Sequence, residues 1–276
     1  MQRHSTGIRN LKLSEYKQIL VPIPSLHEQK RIVLFLDEVF ASIAKAKKNA
    51  EKNLTNARLL FDSHLQHVLS KHGASWKKIT LGEVCKITDG THFSPTNTAS
   101  GKYMYVTAKN IKRYYIDLRK ISYLTEKDHR EIYKRCPVKK GDVLYIKDGA
   151  TAGIAALNTI DEQFSLLSSV ALLKPYECLL NTFLVHYMNS DIGRKNFLGY
   201  VDGAAITRLT LIKLKNVIIP LPPIFEQKRI ASELDTLFDE TKRLEVIYAQ
   251  KLANLEELKK SILQKAFSGE LVGANS

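Results

Sequence analysis

Pro22–Phe40 reads PIPSLHEQKRIVLFLDEVF, and Pro220–Phe238 reads PLPPIFEQKRIASELDTLF. Shifted by 198 positions, 10 of these 19 residues coincide, among them Pro22/Pro220, Pro24/Pro222, Glu28/Glu226, Gln29/Gln227, Arg31/Arg229, Ile32/Ile230, Leu36/Leu234 and Phe40/Phe238. Thinner matches on both sides, such as Leu11/Leu209 and Leu65/Leu263, extend each copy to about sixty residues. Solenoid repeats are shorter and stack directly, at roughly 20–50 residues each. The chain is therefore read as one duplicated element with a different domain between its copies.

Both copies follow the same local plan. A β-type run, Ile19-Leu20-Val21 or Val217-Ile218-Ile219, stops at a Pro-x-Pro segment. Such a segment fits neither a helix interior nor a central strand, because each proline removes a donor and restricts its predecessor. Ser25 is placed to cap a helix beginning near Leu26, with Glu28 as its capping-box partner, and Gly73 is placed to end it. The second helix is expected from about Ile224 to Phe267, stopped by Gly269. Its apolar seam keeps 4-3 spacing through Ile230, Leu234, Leu237, Thr241, Leu244, Tyr248, Lys251, Leu255, Leu258 and Ile262. The corresponding positions of the first copy run through Ile32, Leu36, Val39, Ile43, Ala46, Ala50, Asn53, Ala57, Leu60 and His64. Small residues in one copy align with large ones in the other, which suits close packing of one helix against its counterpart. Long isolated helices are marginal in water, so each must pack on something. Two core helices of an ordinary bundle are the plainer alternative.

Between the copies, short β-type runs such as LGEVCKITDGT, KYMYVTAKNI and GDVLYIKDGATAGIAAL alternate with turn signals. They predict a compact mixed α/β domain. The chain carries a formal net charge of +14, which points to a polyanionic partner, most often nucleic acid. Residues 102–147 hold 13 Lys/Arg and 5 Asp/Glu, a net +8 interleaved with tyrosines. That mixture suits phosphate contact together with base or sugar packing. A solvated basic face is the bland alternative. No apolar run approaches the roughly 20 residues of a membrane helix. The start, MQRHSTGIRN, lacks a signal-peptide core, and the three scattered cysteines fit a reducing, cytoplasmic setting without metal-ligand spacing.

No catalytic constellation emerges. The Pro-Pro of Leu221-Pro222-Pro223-Ile224 has no amide or carboxylate before it, as an adenine methyltransferase turn would need. Gly149–Gly153 lacks the Gly-Lys-Ser/Thr of a phosphate-binding loop. Asp142 and Asp148 do not make a convincing Mg²⁺ pair. No metal ligands, catalytic residues or bound cofactors are expected of this chain.

The Pro-x-Pro-x-x-x-Glu-Gln-x-x-Ile start of a long helix, used twice around a variable α/β domain, resembles the specificity subunits of Type I restriction–modification enzymes. Trp76–Val84 is similar to the opening of a target recognition domain in that family, Lys140–Leu144 with Asp148-Gly149 to its central strand and loop, and Asn216–Gln227 to its exit. The resemblance implies an α+β architecture, with one compact mixed α/β recognition domain flanked by two long helices that pack as an antiparallel coiled coil. It implies a non-catalytic reader of double-stranded DNA that docks methyltransferase (M) and restriction (R) subunits, with S-adenosylmethionine and ATP bound by those partners only. The expected division is 1–21 as the exit strand of an absent first recognition domain and 22–72 as the first conserved region. Residues 73–205 would then be the recognition domain and 206–276 the second conserved region. One reader covers one half-site, so a half-type subunit acting as a homodimer is expected. A coiled-coil adaptor, or a remnant with only non-specific nucleic-acid binding, is the alternative.

For DNA contact the residues suggest Lys109, Asn110, Lys112, Arg113 and Tyr114 in the polar tip after KYMYV, then Thr91 and His92, then Lys147 and Thr151 in the second glycine loop. Asn and Arg can bind base edges in pairs of hydrogen bonds, whereas lysines more often hold phosphates. The helix starts would supply partner contacts through Pro22, Glu28, Gln29, Arg31, Pro222, Glu226, Gln227 and Arg229.

Overall fold

The computed structural model describes residues 2–3, 9–10, 12–19, 21, 23–72, 75–199 and 208–271. Its two long helices are Leu26–His72 and Ile224–Ser268, beginning where the proline segments place them. Ser25 Oγ accepts from Glu28 N at 3.3 Å, the capping bond expected of it. Glu28 itself turns to Arg31, 2.7 Å away. Gly269 follows the second helix at φ +83°, the left-handed conformation that ends helices and favours glycine. Pro22 and the expected stop at Gly73 lie outside the described residues.

The chain divides into two compact units, residues 1–56 with 244–276, and residues 57–243. In the first unit the helices run antiparallel. Lys47 Nζ meets Glu256 Oε1 at 2.5 Å, and Lys259 Nζ lies 5.3 Å from the centre of the Phe40 ring. Ile43 and Ala50 are buried there. Among the described residues of 1–21, Gln2–Arg3 pairs with Arg9–Asn10, and Leu20 of the expected exit strand lies outside the described residues. Leu13–Tyr16 forms a helical turn, and Ile19 and Val21 belong to no strand. An extended segment needs a partner for its backbone groups, and no described strand pairs with them.

In the second unit the helix segments are antiparallel as well. The Phe61 and Phe238 rings meet edge to face at 5.3 Å, and His64 Nε2 lies 2.7 Å from Glu233 Oε1. At the 198-residue offset, Phe40 and Lys259 correspond to Phe238 and Phe61, so one repeat contact is made in each unit. Antiparallel packing brings equal positions of the two copies level only near the midpoint of the pair, so the small-against-large alignment read from the sequence does not describe the packing along its length. The seam also changes course. Ile230 and Leu234 are buried, and Ile32, Leu36, Leu237, Leu255 and Ile262 are half-buried, but Leu244 is 37% exposed. On the first helix, burial leaves Asn53, Leu60 and His64 for Leu54, Phe61 and Leu65. The middle domain's core recruits Phe61, Leu65, Val68 and Leu69, so this face answers to two neighbours.

The middle domain contains two four-stranded sheets. One orders Ala155–Leu157, Val143–Ile146, Val170–Pro175 and Cys85–Asp89, all antiparallel. The other orders Phe164–Leu166, Tyr103–Val106, Ser122–Leu124 and Asn97–Thr98, its first pair parallel. Val143–Ile146 is buried along its whole length, because its two faces serve different cores. A separate pair joins Ile218–Leu221 to Lys77–Thr80, with Pro220 opposite Lys78. The strand therefore runs through Pro220, past the apolar run Val217-Ile218-Ile219. A two-stranded ribbon has an unpaired edge, where a proline's missing N–H costs no ladder bond.

Gln227 joins the helix start to the domain. Its Nε2 donates to Pro222 O at 2.8 Å and Cys178 O at 2.9 Å, and its Oε1 accepts from Leu180 N at 2.7 Å, with no solvent exposure. Gln29 makes the corresponding bond to Pro24 O at 2.9 Å but remains half-exposed. Gln227→Ala is expected to cost about 2–4 kcal/mol, because it orphans buried backbone groups, whereas Gln29→Ala costs about 1 kcal/mol or less. Urea midpoints of the two variants check this, and equal small losses would contradict it.

Candidate nucleic-acid interface

The sheet register brings three chain segments to one end of the all-antiparallel sheet. Ile146 pairs with Val170, and Ala171 with Asp89, so Lys147, Ser169 and Gly90 follow as neighbours. Lys147 N donates to Ser169 O at 2.9 Å, and Thr91 N to Leu166 O at 2.8 Å. Gly90 is required for this approach, since a Cβ there would sit 2.0 Å from Leu166 O.

A charged cluster lies at this end. The Asp89 and Lys147 side chains are each only 3% exposed, with Lys147 Nζ 3.6 Å from Asp89 Oδ2 and 2.8 Å from Asp148 Oδ2. Burying an ion is costly unless it is paired, and these are. From the solvent side come His92, with Nε2 3.1 Å from Asp89 Oδ2, and Arg135, with Nη1 3.5 Å from Asp89 Oδ1. Arg135 Nη2 also donates to Gly90 O. Phe93 lies exposed beside His92, its N–H held by Thr91 Oγ1 at 3.2 Å.

The residues proposed from sequence are thus divided. His92 and Thr151 are exposed at this sheet end, and Lys109 is exposed on its own turn. Thr91 is buried and shapes the loop through Phe93. Lys147 is turned inward, because its ammonium neutralises Asp89 and Asp148. Asn110 is also buried. Its Oδ1 accepts from Thr107 N at 3.0 Å and its Nδ2 donates to Asp117 O at 3.1 Å, so the amide holds the turn instead of facing a base. Lys112 is half-buried in the hairpin Ile111–Lys112/Tyr115–Ile116.

Arg113 and Tyr114 were expected in a solvent-facing tip, but this hairpin closes on the long helices. Arg113 Nη2 donates to Asp62 Oδ1 at 2.5 Å and Asn189 O at 3.1 Å. The Tyr114 ring lies 5.6 Å from Phe61, 4.7 Å from Phe238 and 5.3 Å from His186. His186 Nε2 in turn reaches Asp235 Oδ1 at 2.7 Å. Among the expected partner contacts, Pro222 and Gln227 are buried, and Glu226 accepts from Trp76 Nε1 at 3.2 Å. These three hold the domain to the helix start. Glu28 and Arg31 pair on the surface, as do Arg229 and Glu233 at 3.2 Å.

Sequence reading missed Asp89, Phe93 and Arg135. Arg135 lies within the basic window, but its link to Asp89 spans 46 positions and has no local signature. Burial pushes the Cys85 thiol up to about 12 and the Cys136 thiol up to about 11, so neither is a nucleophile near neutral pH. Hydrogen bonds from Arg119 hold the Asp117 carboxyl well below the ordinary carboxylate range. Among the described residues, no group of three or more His, Cys, Asp or Glu is placed to hold a metal ion, and no helix is long and apolar enough to cross a membrane.

The chain belongs to the Type I restriction modification DNA specificity domain family, whose model matches residues 1–53 and 74–256. It is 25% identical to the Type I restriction enzyme MjaVIII specificity subunit of Methanocaldococcus jannaschii, over 98% of this chain and 66% of that protein. It is 24% identical to the EcoBI specificity subunit of Escherichia coli, over 97% of this chain and 61% of that protein. A solved structure from work on assembly and conformational transition of the type I R-M system superposes with a TM-score of 0.72 at 25% identity, covering 90% of this chain and 60% of that one. The HsdS subunit from Thermoanaerobacter tengcongensis shares the fold, with a TM-score of 0.61 at 24% identity over 97% of this chain and 65% of that one. The chain thus spans 60 to 66% of the length of these four proteins. Membership places it among specificity subunits and not among enzymes.

Arg113→Ala is expected to destabilise the protein by about 1–3 kcal/mol, through loss of charged hydrogen bonds, while leaving any preference among DNA sequences unchanged. Thermal unfolding and competition binding check the two halves. A changed base preference at unchanged stability would place Arg113 on DNA.

Proposed function

We propose that this chain is the DNA-recognition subunit of a Type I restriction–modification system, and that the domain between its long helices reads one half of a two-part site. The observation that carries this reading is the family match across both helix starts and the domain between them. The basic excess of residues 102–147 and the loop cluster around His92 and Arg135 supply contacts suited to phosphates and base edges. The helices dock methyltransferase subunits, and restriction subunits join them. S-adenosylmethionine and ATP are held by those partners, and the assembly works in the cytoplasm.

Two copies of the chain pair through their helices. Support comes from the first helix start. Val21, Ile23, Val33 and Leu34 are exposed there, whereas Ile219 and Ala231, which correspond to Val21 and Val33, are buried. An apolar surface covered in one copy of the repeat and open in the other favours a partner over solvent. Sedimentation at micromolar concentration is expected to give a dimer, and a strict monomer would remove the pairing. Methylome sequencing of a host with and without this gene, supplied with a cognate methyltransferase subunit, is expected to reveal one methylated sequence that depends on the gene. Identical methylomes would remove the DNA-recognition reading.

A further inference from the structure

We propose that Arg135 reads a guanine in the major groove and that Asp89 is the positioning residue that aims it. The inference rests on the DNA-recognition reading above and deepens it. Asp89 is almost wholly buried, and its inner side is occupied by Lys147, equally buried and shared with Asp148. The outer side of the same carboxylate is covered by Arg135 and His92, whose side chains are 51% and 54% exposed. The cluster therefore faces solvent with the Arg135 guanidinium and the His92 ring, and keeps the Asp89 carboxylate behind them.

The guanidinium is held in a way that suits reading. Two anchors come from consecutive residues of one loop, the Asp89 carboxylate to Nη1 and the Gly90 carbonyl to Nη2. That loop is rigid for steric reasons, because Gly90 abuts Leu166 O and the Thr91 backbone bonds Leu166 O and Ser168 N. Arg135 closes the helix Glu126–Arg135, whose start is capped by Thr125, so its own backbone is fixed too. A phosphate is satisfied by a flexible point charge. A planar fork anchored through both terminal nitrogens keeps Nε–H and the second hydrogen of each Nη for a planar edge with two acceptors, and in the major groove guanine O6 and N7 are that edge. Exposed Phe93 follows His92 in the same loop.

The test uses the full chain with a duplex pool carrying randomised positions, sequencing the bound fraction. The wild type is expected to select a G·C pair at one position, and Arg135→Lys, which keeps the charge, to lose about 5–150-fold of that discrimination. Its binding to random duplex should change less than about threefold. Asp89→Asn is expected to relax the same position and no other, whereas a merely structural Asp89 would lower melting temperature and leave the preference pattern intact. Lys134→Ala, on the neighbouring exposed residue, should leave the pattern unchanged. If Arg135→Lys and Arg135→Ala both retain the wild-type pattern, Arg135 is not a reading residue, while DNA recognition by the chain stands. If the wild type selects no sequence, the DNA-recognition reading fails and this inference with it.

Discussion

The side-chain amide of Gln227 has no contact with solvent, and three backbone groups depend on it. Two are carbonyls, at Pro222 and Cys178, and the third is the N–H of Leu180 just before the helix Asn181–Asn189. A glutamine can serve all three because it carries donors and an acceptor on one planar group. The prolines before it cannot help, since they have no N–H to offer. Fixing this amide fixes where the long helix starts relative to Trp76 and Leu180. The neighbouring contacts then follow: Trp76 with Glu226, His186 with Asp235, and the Phe61–Phe238 pair. The Glu-Gln pair of the repeat is thus a clamp on the adjoining domain, and in the first copy its local arm, Gln29 to Pro24, persists.

Charge in the middle domain is used in two different ways. Part of the basic excess never reaches the surface as free charge. Lys147 neutralises two carboxylates, Lys174 pairs with Asp142, and Arg113 is spent on Asp62. Buried ions need such partners, because desolvation outweighs attraction unless geometry and hydrogen bonding are both good. The remaining exposed cations, including Lys109 and Arg135, are the ones a polyanion can meet. A net charge summed over a window overstates the contact surface.

What could be read in the sequence was what repeats locally. The helix starts, the Ser25 cap and the Gly269 stop depend on residues within a few positions, and they were legible. The mixed α/β character of the middle domain was legible from its alternating runs. The seam was legible only where one helix meets its counterpart. From Ala57 onward the burial pattern follows Phe61, Leu65 and Leu69, because a domain distant in sequence packs there. The site was less legible still. Asp89 and Arg135 meet through strand register, and the hairpin carrying Arg113 and Tyr114 turns toward helices whose residues lie 51 to 124 positions away. Polarity marked that hairpin as a surface tip, yet its arginine and tyrosine were the groups needed to close on Asp62, Phe61 and Phe238.

Tyr114 has φ +76°, among the described non-glycine residues the one in the left-handed region. For a bulky side chain that conformation costs on the order of 1–3 kcal/mol and persists only where surroundings over-determine it. Here the surroundings are rings contributed by both long helices, Phe61 and Phe238, with His186 beside them. The hairpin backbone is therefore a strained spring latched by helix packing. Loosening either helix segment releases the latch, and Ile111 and Tyr115 on either side of it inherit the change. In mechanical terms the hairpin is a strain gauge, set inside the middle domain and loaded by the helices.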